Sequence, residues 1–239
     1  MIETESGLLD EEELPARQGR IAFAYLVLHH RRPIPRLELS EALWGDNPPE
    51  AWEASLSALL SRLRGLFRKL AIKADISALS RSVHVSLPAE HWIDLDAALN
   101  ALDEAEGLMR TRHARAAWPH GLVALSILER GFLQGEEQPW VIRERGRIHS
   151  GHLRALELLA DITFALGETA SSVHFARVCS DLEPFRESAY EREMRAEMQM
   201  GNRAEALRTY ERLRRLLANE LGADPSPQLQ AAFLQALRN

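Results

Sequence analysis

Residues 50–70 read Glu50-Ala51-Trp52-Glu53-Ala54-Ser55-Leu56-Ser57-Ala58-Leu59-Leu60-Ser61-Arg62-Leu63-Arg64-Gly65-Leu66-Phe67-Arg68-Lys69-Leu70. Wound at the helical period, Leu56, Leu59, Leu60, Leu63, Leu66, Phe67 and Leu70 fall on one broad face, which predicts a helix with its apolar side in a core. The reverse is then fixed: Ala54, Ser57, Ala58, Ser61 and Gly65 run along it, with Arg62, Arg68 and Lys69 beside them and Arg64 at the edge. Small side chains let a helix lie deep in a groove, and arginines at its margins can reach guanine edges or phosphates. The plainer reading of such a face is a solvated surface, or one packed on a second protomer. A mid-helix glycine costs about 1 kcal/mol against alanine, so Gly65 calls for a close approach to justify it.

Upstream, Ile21, Tyr25 and Leu28, with Phe23, Leu26 and Val27 around them, predict a largely buried helix from Pro15 to about Leu28. Pro33 and Pro35 break it. A short helix follows from about Arg36 to Trp44 and ends at Gly45-Asp46-Asn47-Pro48-Pro49. Downstream, Ile72-Lys73, a polar stretch through Ser77, Ser80 and Ser82, and the alternating Val83-His84-Val85-Ser86-Leu87 predict a β-hairpin that closes at Pro88. Three helices and a hairpin make a winged helix-turn-helix over residues 14–90. Arg81 sits in the hairpin, where a wing reaches the duplex backbone or the minor groove. Arg36, at a positive helix start, is placed for a phosphate.

From residue 91 to 239 helix-forming residues dominate. A helix from about Trp140 to Leu166 carries Val141, Ile148, Ala155, Leu159 and Ile162 at three- and four-residue spacing. A shift of 34 places then aligns Gly167 with Gly201, Ala170 with Ala204, Val173 with Leu207, Ala176 with Tyr210, Cys179 with Leu213 and Leu182 with Leu216. That is the tetratricopeptide period, with glycine at the turn between two helices. Gly222 stops the next helix, and Ser226-Pro227 caps a final one over Leu229 to Leu237. Around Trp118-Pro119-His120-Gly121 the pattern fits either a kink or a loop.

Charge divides along the same boundary. Residues 1–13 hold six acids and no base, residues 14–90 hold 11 Lys and Arg against 7 Asp and Glu, and residues 91–239 hold 18 against 22, within a net charge of −6. A basic segment beside an acidic one suits a DNA-binding domain joined to a partner-binding domain. A single cysteine, Cys179, cannot form an internal disulfide and reads as a core residue of a reducing cytoplasm. The acidic start lacks the basic flank and apolar stretch of a secretory signal, which adds to the expectation of a cytoplasmic protein.

Several strings are similar to a known family. Arg17-Gln18-Gly19-Arg20, Glu41-Ala42-Leu43-Trp44-Gly45-Asp46 with Pro48-Pro49, and Ser61-Arg62-Leu63-Arg64 resemble the winged-helix domain of the antibiotic regulatory protein (SARP-like) family of bacterial activators. Phe132-Leu133, Gly135, Trp140-Val141, Ala204-Glu205-Ala206-Leu207, Tyr210-Glu211-Arg212-Leu213 and Glu220-Leu221-Gly222-Ala223-Asp224-Pro225-Ser226-Pro227 resemble the bacterial transcriptional activator domain that accompanies it. The resemblance implies a mainly α chain: an acidic segment 1–13, a winged helix-turn-helix over 14–90 and a tetratricopeptide-like activator domain over 91–239. It implies a non-enzymatic transcription regulator that binds double-stranded DNA, as a homodimer, and touches RNA polymerase or another regulator. Its DNA-contacting residues would be Arg36, Ser57, Ser61, Arg62, Arg64, Arg68, Lys69 and Arg81, with Arg62 the best placed for a base.

Two departures bear on this. Members begin with a small β-sheet before the first helix, and the dozen residues of the acidic start before Pro15 are too few for it, so either the start is trimmed or that sheet is reduced to a remnant. Trp52, Glu53 and Leu59 stand where polar or basic residues are usual, which favours the alternative of a regulatory scaffold that has lost DNA affinity and acts only through protein contacts.

No phosphate-binding glycine loop, dinucleotide fingerprint or His-Glu-x-x-His motif is present, so no catalytic residue and no cofactor is expected. His29-His30 and His149 with His152 lack supporting acids or cysteines at metal-ligand spacing, so no metal is expected. Trp44, Trp118 and Trp140 read as core, and Asp94 and Asp96 as helix-start residues rather than a catalytic pair.

Overall fold

The computed structural model describes residues 2–4, 7–9, 14–69, 72–79 and 81–238. They divide into two compact units. Residues 1–92 with 131–145 form the first, and 93–130 with 146–239 the second.

The first unit opens on two short antiparallel strands, β1 (Ile2–Thr4) and β2 (Gly7–Leu9), a remnant of sheet within the acidic segment. Helix α1 (Ala16–Leu28) follows, then β3 (Ile34–Pro35), α2 (Arg36–Trp44) and α3 (Trp52–Lys69). The hairpin is β4 (Asp75–Ala78) and β5 (Ser82–Ser86), and β3 adds to its other side, giving the antiparallel order β3-β5-β4. The three helices and the hairpin follow one another in the order expected of a winged helix-turn-helix. β3 was not expected. Pro35 lacks an N–H, and at a two-residue sheet edge that costs little.

Both ends of α2 are set locally: Pro35 supplies φ −53° before its first turn, and Gly45 ends it at φ +62°. α3 follows from its apolar stripe. Leu56, Leu59, Leu60, Leu63 and Phe67 are buried, and Leu66 packs on the same core half-buried. Leu70 lies outside the described residues. The stripe meets Ile21, Ala22, Tyr25 and Leu26 of α1, Leu39 and Leu43 of α2, and Ile76, Val83 and Val85 of the hairpin. Each large side chain so buried contributes roughly 1.5–3 kcal/mol. The hairpin begins at Asp75, later than Ile72-Lys73 suggested, and Ile72 packs against the core instead of pairing.

The division after Trp92 lies close to the sequence boundary at 90, but the chain then returns. Gly131–Arg145, expected in the helical domain, packs in the first unit, where Trp140 and Val141 join its core. The reason is chemical. Glu136 is buried and must be paired, and its partners Arg17 and Arg20 are on α1.

The second unit is helical. It holds α4 (Asp94–Arg110), α5 (Ala114–Leu128), the later turns of α6 (Pro139–Ala165), α7 (Thr169–Leu182), α8 (Glu187–Gln199), α9 (Arg203–Leu221) and α10 (Pro227–Arg238). Trp118-Pro119-His120-Gly121 is neither loop nor break, because α5 continues through it with Pro119 inside. The 34-residue repeat has a structural counterpart. Glu168 N–H donates to Thr163 O at 2.8 Å and Gly167 N–H to Phe164 O at 3.0 Å; 34 residues on, Asn202 donates to Glu197 O at 2.9 Å and Gly201 to Met198 O at 3.1 Å. Gly167 and Gly201 have φ +81° and +77°, a left-handed conformation that glycine adopts without steric cost. Of the aligned pairs, Ala176, Tyr210, Cys179 and Leu213 are all buried, while Leu182 is exposed.

Candidate nucleic-acid interface

The outward face of α3 is bare. Ala54, Ser57, Ala58 and Ser61 are exposed and Gly65 is half-buried, and an added Cβ at Gly65 would meet nothing within 4 Å. No close approach among the described residues therefore accounts for this glycine. Arg62, Arg68 and Lys69 are exposed beside it. Among the described residues the side chains of Arg62 and Lys69 carry no ion pair or hydrogen bond, and Arg68 Nε makes only a long contact of 3.4 Å to Arg64 O. Arg62 and Lys69 stand about 10 Å apart along the axis at 1.5 Å per residue. Arg68 and Lys69 also occupy the last turn, where the helix dipole favours cations.

The remaining expected residues are placed differently. Arg36 Nη2 donates to Ser57 Oγ at 2.8 Å and to Glu53 O at 3.3 Å, so the α2 start is fastened to the first turns of α3. The Arg36 backbone N–H donates to Arg81 O at 3.0 Å, which holds the wing close by. The Arg81 side chain itself is exposed and has no partner among the described residues. Arg64 is half-buried and its Nε donates to Ile76 O at 2.6 Å, tying the middle of α3 to β4. Seven of the eight residues thus lie on the α3 face, the α2 start or the wing tip, and Arg64 is engaged underneath. Glu53 is an exposed acid at the far end of the face, and Leu59, 2% exposed, belongs to the core and takes nothing from the outer surface.

Sequence reasoning missed what supports this face. Tyr25 Oη donates to Glu38 Oε1 at 2.6 Å, and Arg32 Nη1 and Nη2 reach the same carboxylate at 3.0 and 2.5 Å, so α1 is bound to α2 by a charged knot. Burial, followed by the Glu38 hydrogen bond, pushes the Tyr25 hydroxyl up to about 12. Glu38 is thirteen residues from Tyr25 and six from Arg32, across the end of one helix and the start of the next, so no helical or strand period joins them.

Histidines expected to be bystanders are occupied locally. The His29 and His30 rings donate Nδ1–H to Tyr25 O and Val27 O, each at 2.9 Å. Among the described residues no group of three or more His, Cys, Asp or Glu side chains could hold a metal ion, and no helix is long and apolar enough to cross a membrane.

The comparisons with known proteins agree with this architecture. The family described as "Bacterial transcriptional activator domain" matches residues 75–237. The regulatory protein AfsR of Streptomyces coelicolor is 33% identical over 225 residues, which is 92% of this chain and 22% of that protein. The regulatory protein DnrI of Streptomyces peucetius is 24% identical over 233 residues, 90% of this chain and 82% of that protein. The structure of Mycobacterium tuberculosis EmbR in complex with a low affinity phosphopeptide superposes with a TM-score of 0.84 at 23% identity, over 94% of this chain and 60% of that one. The chain thus spans about a fifth of AfsR and just under two thirds of the EmbR chain, and the EmbR likeness is one of fold. With more than half of its residues matched, the chain belongs to the bacterial transcriptional activator domain family.

Proposed function

We propose that the protein is a DNA-binding transcription regulator of the cytoplasm that docks the outward face of α3 in the major groove of double-stranded DNA. The observation that carries this is the α3 surface itself, a run of small exposed residues bordered by Arg62, Arg68 and Lys69, with Arg62 and Lys69 unpaired among the described residues. Few long hydrogen-bonding side chains point from the centre of the face, so DNA shape and phosphate contacts outweigh base readout. Arg62 is the base-contacting candidate, and Arg68, Lys69, Arg36 and Arg81 serve phosphates. Ser57 and Ser61 line the approach, and Arg64 acts beneath it by holding the wing to α3. The relatives' description as regulatory proteins supports the reading. The helical unit, with repeats of a kind that bind proteins, supplies contacts to a second copy, and to RNA polymerase or another regulator.

One observation favours the scaffold reading: Arg36 Nη2 is turned to Ser57 Oγ and the Glu53 carbonyl, and the exposed Glu53 side chain puts an acid at that end of the face. A fluorescence anisotropy titration of the full chain with duplex DNA at two salt concentrations separates the readings. DNA binding should weaken steeply with salt, and Arg62→Ala and Lys69→Ala should each lower the slope of log affinity against log salt by about 1. No detectable affinity at low salt makes the scaffold the correct account.

A further inference from the structure

In sequence, Gly131–Arg145 follows α5, takes in the first turns of α6 and lies inside the matched 75–237 segment, yet it packs in the first unit. Its contacts fasten two elements. Glu136, 2% exposed, receives Arg17 Nε at 3.0 and 2.9 Å on its two oxygens, an ion pair from Arg17 Nη2 at 2.7 Å, and Arg20 Nη2 at 3.5 Å. Gln138 Nε2 donates to the same carboxylate at 3.3 Å. This fastens the segment to α1.

Four residues after Glu136, the Trp140 indole N–H donates to Ala42 O at 2.9 Å. α2 ends at Trp44, so Ala42 is among the last residues of a helix, whose carbonyls find no N–H further along it. Trp140 supplies that donor. Its ring stands edge-on to Tyr25 at 5.0 Å and to Phe132 at 6.0 Å. Arg145 ties the segment to itself, with Nε to Phe132 O and Nη1 to Glu136 O at 2.8 Å each, and Nη2 to Leu133 O. The turn between α2 and α3 begins three residues beyond Ala42, and α1 and α2 form the bed in which Leu56, Leu60 and Leu63 of α3 are buried.

We infer that residues 131–145 are a clasp that sets the placement of α2 and of the α2–α3 turn, with Glu136 and Trp140 as positioning residues, so that the α3 face is held in place by a piece of the activator-domain segment. The link to DNA rests on the proposed function; the clasp does not. A buried carboxylate with three donors is sensitive to loss of any of them, and a capping N–H can be removed while the ring that carries it is kept.

The test uses the full chain. Glu136→Gln removes the charge at constant size, Trp140→Phe removes the N–H but keeps an aromatic ring, and Arg17→Gln, at an exposed position, loosens the clasp in a chain that still carries both. Amide hydrogen exchange is followed by mass spectrometry, with duplex affinity measured in parallel. The expected result is exchange at least tenfold faster in α1 and residues 42–51, no change in α7, α8 and α9, and a DNA affinity lowered several-fold at unchanged salt slope. Unchanged exchange at α1 and 42–51 in all three variants overturns the clasp, and so does a uniform rise in both units, which would mean only general destabilisation. Faster exchange with unaltered affinity, in a chain that binds DNA, overturns the link to the α3 face. If the unsubstituted chain binds no DNA, the exchange result still decides the clasp and the failure belongs to the proposed function.

Discussion

Gly65→Ala pulls stability and DNA affinity in opposite directions. The residue lies inside α3, where glycine costs about 1 kcal/mol against alanine through backbone entropy. The new methyl would meet nothing within 4 Å among the described residues, so no steric cost offsets the gain. A gain of about 1 kcal/mol raises the melting temperature of a domain of this unit's size by roughly 4–8 °C. If the face enters a groove, the same methyl stands where DNA atoms approach the helix, and the affinity for duplex should fall several-fold; Gly65→Gln, with a longer side chain, should lower it by tenfold or more, equivalent to about 1.4 kcal/mol. Thermal unfolding by circular dichroism and anisotropy titration on the same preparations measure both effects. A stabilised protein whose affinity is unmoved by either substitution would show that α3 does not lie against DNA and that its glycine is merely tolerated.

Three further outcomes follow from the packing. Arg64→Ala removes the bond to Ile76 O and should cost roughly 1–2 kcal/mol in urea unfolding, discounted for a half-exposed charge, and should speed amide exchange in β4 more than in α1. Cys179 is buried, and that burial first of all pushes its thiol up to about 11, so it should stay unreactive toward a thiol reagent at neutral pH until the chain is unfolded, whereas prompt labelling would contradict the packing of α7. For Glu136 and Glu157 burial alone would raise the carboxyl, but the hydrogen bonds of Arg17 and Gln138 to the first, and of Arg186 and Ser188 to the second, together with the arginine charges, outweigh it and hold both below the ordinary carboxylate range. Groups depressed on folding stabilise above their unfolded value of about 4.3 and lose that contribution as pH falls through their folded values. Melting temperature should therefore drop on acidification below about pH 4, and Glu136→Gln should lessen the drop.

The sequence was legible where local chemistry settles structure. α2 runs from Arg36 to Trp44 as read, because a proline and a left-handed glycine sit at its two ends. The repeat was visible through Gly167 and Gly201, since few other residues accept their φ. The turn between α4 and α5 makes the same pair of bonds, His113 N–H to Leu108 O at 2.9 Å and Arg112 N–H to Met109 O at 3.0 Å, but an arginine holds its left-handed position at φ +62°. A strained non-glycine residue gives a reader no signal. The clasp was illegible for another reason. Arg17 and Glu136 are 119 residues apart and Trp140 and Ala42 are 98, so no periodicity joins them. In the candidate interface, the exposure of Ser57, Ser61 and Arg62 follows from the stripe on the opposite side of α3. What distinguishes Arg64 from Arg62 is a carbonyl on a strand twelve residues away, which only the fold supplies.

The central claim is that the outward face of α3 meets the duplex, and affinity cleavage tests it directly. With the single native cysteine buried, an iron chelate can be attached at Ser61→Cys in the full chain, with Ala204→Cys in the helical unit as the control. The account predicts cleavage confined to a few base pairs of the bound DNA from position 61, lost at high salt and stronger than from position 204. Binding without localised cleavage from position 61 would place the DNA elsewhere on the molecule and contradict it.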